Sequence, residues 1–149
     1  MTEQQKIPNT AKLLGFAGVL PFLVTAINLH TGWPLFNGFA LQVFVTYSAI
    51  ILSFLGGIRW GLALNQSPMP TGSLVLSVLP SLVALACLLL AQPFWQIAAL
   101  GLAFAAQGVL DWHFTPVGMP IWMRKLRMQL SFWVVSCHVI TLFAVQRWT

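Results

Sequence analysis

From Phe39 to Leu64 the chain runs through a long apolar stretch that holds a single formal charge, Arg59. A backbone in hydrocarbon has no water to satisfy its N–H and C=O groups, so a stretch of this length reads as a membrane-spanning helix. At about 100° per residue Arg59 lies nearly opposite Gly57 and Gly61, and a charge at that depth faces protein or water in preference to lipid. Ala49, Ser53, Gly57 and Gly61 recur every fourth residue. On a helix they read as a ridge of small side chains that admits a second membrane helix backbone to backbone. With a charge on one side and a packing ridge on the other, this helix is expected at the centre of a small bundle, covered by neighbours on both sides.

The rest of the chain supports the same class. Only 6% of the residues are charged and 58% are hydrophobic, whereas soluble domains are typically about a quarter charged. The expected fold is therefore all-α, an integral membrane bundle of five transmembrane helices forming a single domain over residues 1–149. The spans are placed at about 11–29, 39–64, 73–91, 94–111 and 129–146. Pro21 sits inside the first and should bend it, because proline lacks the N–H that would bond one turn back. The apolar run after Met1–Lys6 has no small-x-small cleavage site and is long for a signal-peptide core, so it reads as a retained span. The second span, at roughly 39 Å, exceeds the ~30 Å hydrocarbon core and must tilt, bend or project. In the third, Ser77 and Ser81 flank Pro80 and are placed to satisfy backbone groups that the proline loosens.

Turn formers separate the spans: Thr31–Pro34 with Asn37-Gly38, Asn65–Gly72, and Gln92-Pro93, where Pro93 suits a first helical position. The polar segment Trp112–Met128 precedes the last span. Its end, with Ile121, Trp122 and Leu126 set against Arg124, Lys125 and Arg127, reads as a short amphipathic turn in the head-group region. Ala99, Ala103, Gln107 and Asp111 share one line of the fourth helix and should face the bundle, and Ser131, His138 and Thr141 give the fifth a thin polar stripe.

The candidates for chemistry are few. In a five-span topology the second and fourth helices run in the same direction, which brings Arg59 and Asp111 to one depth as an intramembrane ion pair or a contact for an anionic ligand or lipid head group. Gln107 and His138 are candidates for a polar relay. His30, His113 and His138 fall at three different depths, which does not suit axial haem ligation. Cys87 and Cys137 sit in apolar runs and read as inert small hydrophobes. With no paired carboxylates, Cys-x-x-Cys, phosphate loop or dinucleotide glycine pattern, no catalytic, metal or cofactor site is expected. The net charge of +5 does not indicate nucleic acid, because the basic residues gather near helix ends, where a positive-inside bias and anionic lipids account for them.

Leu14–Phe22, the Ser53–Gly61 core of the second span, Leu79-Pro80-Ser81, Asp111 and Pro120–Arg127 together resemble the membrane family called domain of unknown function 3429. That family occurs in proteobacteria and has relatives among mitochondrial transmembrane proteins. The resemblance implies an inner-membrane location and marks Arg59, Trp60 and Asp111 as family hallmarks. Two functions follow as expectations. The first is a structural or assembly component that docks onto an inner-membrane partner or a second copy of itself, favoured by the small-residue ridge and the lack of catalytic groups. The second is binding or transport of a small molecule, ion or lipid, which requires a polar path; Gln42, Thr46, Ser53, Ser77, Gln107, His138 and Thr141 are too scattered to trace one.

Charge also orients the chain. Lys6, Lys12, Arg59, Arg124, Lys125 and Arg127 share one side and Arg147 lies on the other, which puts the N-terminus in the cytoplasm and the C-terminus outside. Trp33, Trp95 and Trp148 fall at the outer boundary, and Trp60, Trp112, Trp122 and Trp133 near the inner one. A topology reporter fused after Thr149 should be active only outside the cytoplasm; activity confined to the cytoplasm would reverse the assignment.

Overall fold

Pro21 determines the first irregularity. The computed structural model describes residues 6–32 and 38–147, and in it the first span is two helices, α1 (Asn9–Ala17) and α2 (Leu20–Thr31), with the proline in the opening turn of α2. A carbonyl exposed at such a break needs a donor. The Tyr47 hydroxyl supplies one to Gly18 O at 2.9 Å. At the far end of α2, Gly32 takes φ 68° and its N–H bonds Asn28 O at 2.9 Å, a left-handed cap that a side chain would strain. Trp33, Pro34, Asn37 and Trp148, which the sequence reading placed in the outer loop and aromatic belt, lie outside the described residues.

Four longer helices complete the chain: α3 (Ala40–Leu64), α4 (Thr71–Leu88), α5 (Pro93–His113) and α6 (Ile121–Gln146). Taken with α1–α2 as one unit, five helices among the described residues are long and apolar enough to cross a membrane. The protein is an all-helical, multi-pass membrane protein. α3 packs most extensively on α4, and α5 on α6, while α2 lies against both α3 and α6. The core joins Phe22, Phe44, Leu52, Ile97, Leu100, Phe104 and Val134 from these helices. Large apolar side chains such as Leu13, Phe54, Leu102 and Phe132 are exposed, as a surface solvated by lipid requires.

The third and fifth spans differ in extent from expectation. α4 stops at Leu88, before the expected Ala91, and the Gln96 side-chain amide closes the turn by donating to Leu88 O and Leu90 O at 3.2 and 2.7 Å. Pro93 occupies the start of α5. α6 starts directly after Pro120, so Ile121–Met128 is not a separate interfacial turn but the opening of the last helix, with Leu126 and Arg127 buried. The run of basic residues suggested a head-group location. Arg127 instead finds a carboxylate inside the bundle.

The small-residue ridge is also corrected. Ala49 is buried in the core and Ser53 is half-buried, but Gly57 and Gly61 are exposed, and a Cβ added to either would meet nothing. Each step of four residues turns the line by about 40°, so a ridge that starts inward at Ala49 has wound to the outside by Gly61. The buried seam is Val45, Ala49, Leu52, Gly56, Arg59 and Ala63, spaced alternately by four and three residues. Gly56 is the point of close approach: a Cβ there would run into the Ser77 carbonyl oxygen and lie 3.3 Å from Cγ of Pro80. Beside that contact the Ser77 hydroxyl donates to Leu74 O at 2.6 Å.

Packing therefore separates neighbouring glycines. Gly56→Leu should destabilise the bundle by at least ~1–3 kcal/mol, the usual cost of overpacking, whereas Gly57→Leu and Gly61→Leu should change it by less than ~0.5 kcal/mol. Thermal melting in mild detergent measures the contrast; equal effects at all three positions would refute it.

Candidate functional site

Three helices each bring one ionised side chain to the same place. The α3 seam carries Arg59 inward, α5 carries Asp111 on the face that begins with Ile97, Leu100 and Phe104, and α6 carries Arg127. Arg59, Asp111 and Arg127 are 3%, 1% and 6% exposed, which makes them part of the protein interior. An unpartnered charge at the centre of a membrane helix costs roughly 2.5–3.5 kcal/mol on insertion scales. Three such groups are tolerable only because they share partners.

The carboxylate of Asp111 is the shared partner. Arg59 Nη2 and Gln107 Nε2 both donate to Oδ1 at 3.1 Å. Arg127 Nε donates to Oδ2 at 2.8 Å, and Arg127 Nη2 reaches the same oxygen. Four donors fill the acceptor sites that a carboxylate offers. The acceptor sites of Asp111 are thus occupied, and its carboxylate ties the ends of α3, α5 and α6 together. The cluster is nevertheless unbalanced, with two guanidinium groups to one carboxylate. The chain's other acidic residue, Glu3, lies outside the described residues. Arg127 Nη1 is buried with no hydrogen-bond partner among the described residues.

Beside Arg127 the helices enclose a cavity of about 320 Å³ lined by Leu14, Gly15, Gly18 and Phe22 of the first span, Ile51, Phe54 and Leu55 of α3, and Leu130, Ser131 and Val134 of α6, among others. Apart from Arg127 and Ser131 its walls are apolar. Outside it, Arg124 stacks over the Trp112 ring with Cζ 4.8 Å from the centroid, near the basic end of the bundle.

The structure brings together Arg59, Asp111 and Gln107 of the sequence candidates and leaves His138 apart. His138 packs against Gly101, whereas Ser131 packs against Gly108, so His138 lies about two turns deeper along α5 than the carboxylate cluster. It is enclosed by Phe22, Phe44 and Phe104, with ring centroids 5.9, 4.8 and 5.4 Å away, and its Nδ1 donates to Val134 O at 2.8 Å. Among the described residues Gln107 and His138 share no hydrogen-bond partner. Cys87 and Cys137 are buried, unpaired thiols. Among the described residues no three His, Cys, Asp or Glu side chains converge as a metal site would need.

Arg127 and Gly56 are the residues that sequence reading missed, and both carried a signal. The polar stripe Ser131, His138, Thr141, extended four residues back, lands on Arg127. Likewise, Arg59 marks the inward face of α3, and the seam stepped back from it by three residues lands on Gly56.

The family model described as "Protein of unknown function (DUF3429)" matches residues 7–143, which include all three charged residues of the cluster. The chain belongs to this family. This DUF3429 member is also 34% identical over 130 residues to Transmembrane protein 69 of Xenopus tropicalis, an alignment that takes in 83% of the chain. The chain spans half the length of that relative. No solved structure matches it.

The imbalance of the cluster predicts an asymmetry in this family member. Asp111→Ala leaves two buried cations facing each other and should cost ~3–5 kcal/mol, as loss of the central partner does in buried ion networks. Arg59→Ala or Arg127→Ala leaves a neutral pair and should cost distinctly less. Melting of these three variants and of Arg59→Ala/Asp111→Ala, which should be far from additive, tests the arrangement; an Asp111→Ala no worse than either arginine variant would contradict it.

Proposed function

We propose that the protein is a structural or assembly component of the bacterial inner membrane, a rigid bundle that presents one face to a neighbouring transmembrane helix. The observation that carries this reading is the fate of the intramembrane polar groups. Ser53, Ser77, His138 and Thr141 bond carbonyls of their own helices, at 2.9 Å to Ala49 O, 2.6 Å to Leu74 O, 2.8 Å to Val134 O and 2.8 Å to Cys137 O. Gln107 is held by Asp111, and Gln42 and Thr46 lie exposed on the outside of α3. Apart from His138 Nε2, which is buried without a partner among the described residues, polar groups satisfied in this way offer little to a passing ion or polar solute, which weighs against transport.

The docking face in this reading is the outer surface of α3. Gly57 and Gly61 form a notch there, flanked by exposed Ile50, Phe54, Trp60 and Leu64. Small residues between bulky ones let a second helix approach closely and gain van der Waals contact, the main attraction between helices in lipid. The proposed orientation keeps the basic end, with Lys12, Arg124 and Lys125, in the cytoplasm.

Native electrophoresis of the protein extracted from its own membrane in mild detergent tests the proposal. The parent should migrate in an assembly heavier than the free chain, and Gly57→Leu/Gly61→Leu should collapse it to the free chain without lowering the melting temperature. A parent that migrates as the free chain would overturn the assembly reading.

A further inference from the structure

We infer that the cavity beside Arg127 is a binding site for an anionic phospholipid, which seats one acyl chain among the apolar walls and its phosphate on Arg127. Three observations carry the assignment. The cluster of Arg59, Asp111 and Arg127 has one positive charge in excess, and a buried excess charge calls for a counter-ion. Arg127, 6% exposed, lines the cavity and has an N–H group, Nη1, with no partner among the described residues. The cavity holds about 320 Å³ and its walls are apolar except for Arg127 and Ser131, a volume within the usual range for ligand sites of ~300–1,000 Å³.

These features match one chemistry. An oxyanion accepts from the free guanidinium N–H and restores charge balance, while a hydrocarbon tail replaces empty space with packing contacts. Leu14 and Phe54, two of the cavity's walls, are also exposed on the lipid-facing surface, which lets a chain enter sideways from the bilayer. Arg127 lies six residues into α6, within about 9 Å of its start along the axis, a depth that an interfacial phosphate reaches from the head-group layer. Lys12 and Lys125 are exposed at the same end and draw anionic lipid toward the entrance.

The experiment is native mass spectrometry of the purified full chain with phosphatidylglycerol, phosphatidylcholine or oleate. The parent should retain phosphatidylglycerol about fivefold better than phosphatidylcholine, the preference expected from one basic side chain facing anionic lipid. Arg127→Gln should remove that preference, and Lys125→Gln, which alters only an exposed charge, should leave most of it. Because Arg127→Gln also changes the ion cluster, Leu14→Trp provides a second variant: it narrows the cavity, leaves the cluster intact, and should lower retention of phosphatidylglycerol without changing the melting temperature. Equal retention of the two phospholipids by the parent, unchanged preference in Arg127→Gln together with unchanged retention in Leu14→Trp, or preferential retention of oleate over phosphatidylglycerol would each overturn the proposal.

Discussion

One carboxylate holds this bundle at its basic end. Asp111 accepts hydrogen bonds from Arg59, Gln107 and Arg127, so side chains on α3, α5 and α6 converge on two oxygen atoms. In a lipid environment, where apolar side chains are equally well solvated inside and outside the protein, burial of leucine or phenylalanine does little to choose one helix arrangement over another. A buried charge does choose. Each of the two arginines can satisfy itself only where the aspartate is, and that condition sets the rotation of three helices about their axes.

Close packing then refines what the charges select. Gly56 lets α3 meet α4 at Ser77 and Pro80, while on α5 Gly101 and Gly108 accept His138 and Ser131, with added Cβ atoms 3.1 and 3.3 Å from the Cβ atoms of those two residues. The two α5 glycines are seven residues apart and meet two α6 residues seven apart, which fixes an antiparallel register along the most closely packed edge of α5. That register brings Asp111 level with Arg127. Electrostatics and close packing therefore specify the same arrangement, and a shift of α6 by one turn would break both.

The cluster's excess of positive charge separates its two roles. As a clamp it needs only the carboxylate, whose acceptor sites are full; as a binding element it has what is left over, the unpaired N–H of Arg127 beside an apolar cavity. The docking notch at Gly57 and Gly61 borders the cavity at Phe54, so association with a helix and retention of a lipid meet at that side chain. Ser53, Ser77 and Thr141 take part in neither, since their hydrogen bonds stay within their own helices.

Much of this architecture was legible in the residues. Long apolar runs determine membrane spans because backbone polar groups must be satisfied within each helix, and this holds whatever the neighbours are. Pro21 and Pro93 likewise mark a break and a helix start through the missing N–H alone. That Arg59 faces inward followed from the cost of a charge in lipid, and its meeting with Asp111 from the direction of the spans. Tertiary structure decided what depends on a partner. Arg127 reads as an interfacial residue by composition and is drawn inside only because Asp111 has a free oxygen at its level. Gly57 and Gly61 have the spacing of a packing ridge, yet Gly56 makes the contact, because a four-residue line winds around the helix while the neighbours stay fixed. A single chain's periodicity states which side chains share a face; which face is covered depends on where the other helices lie.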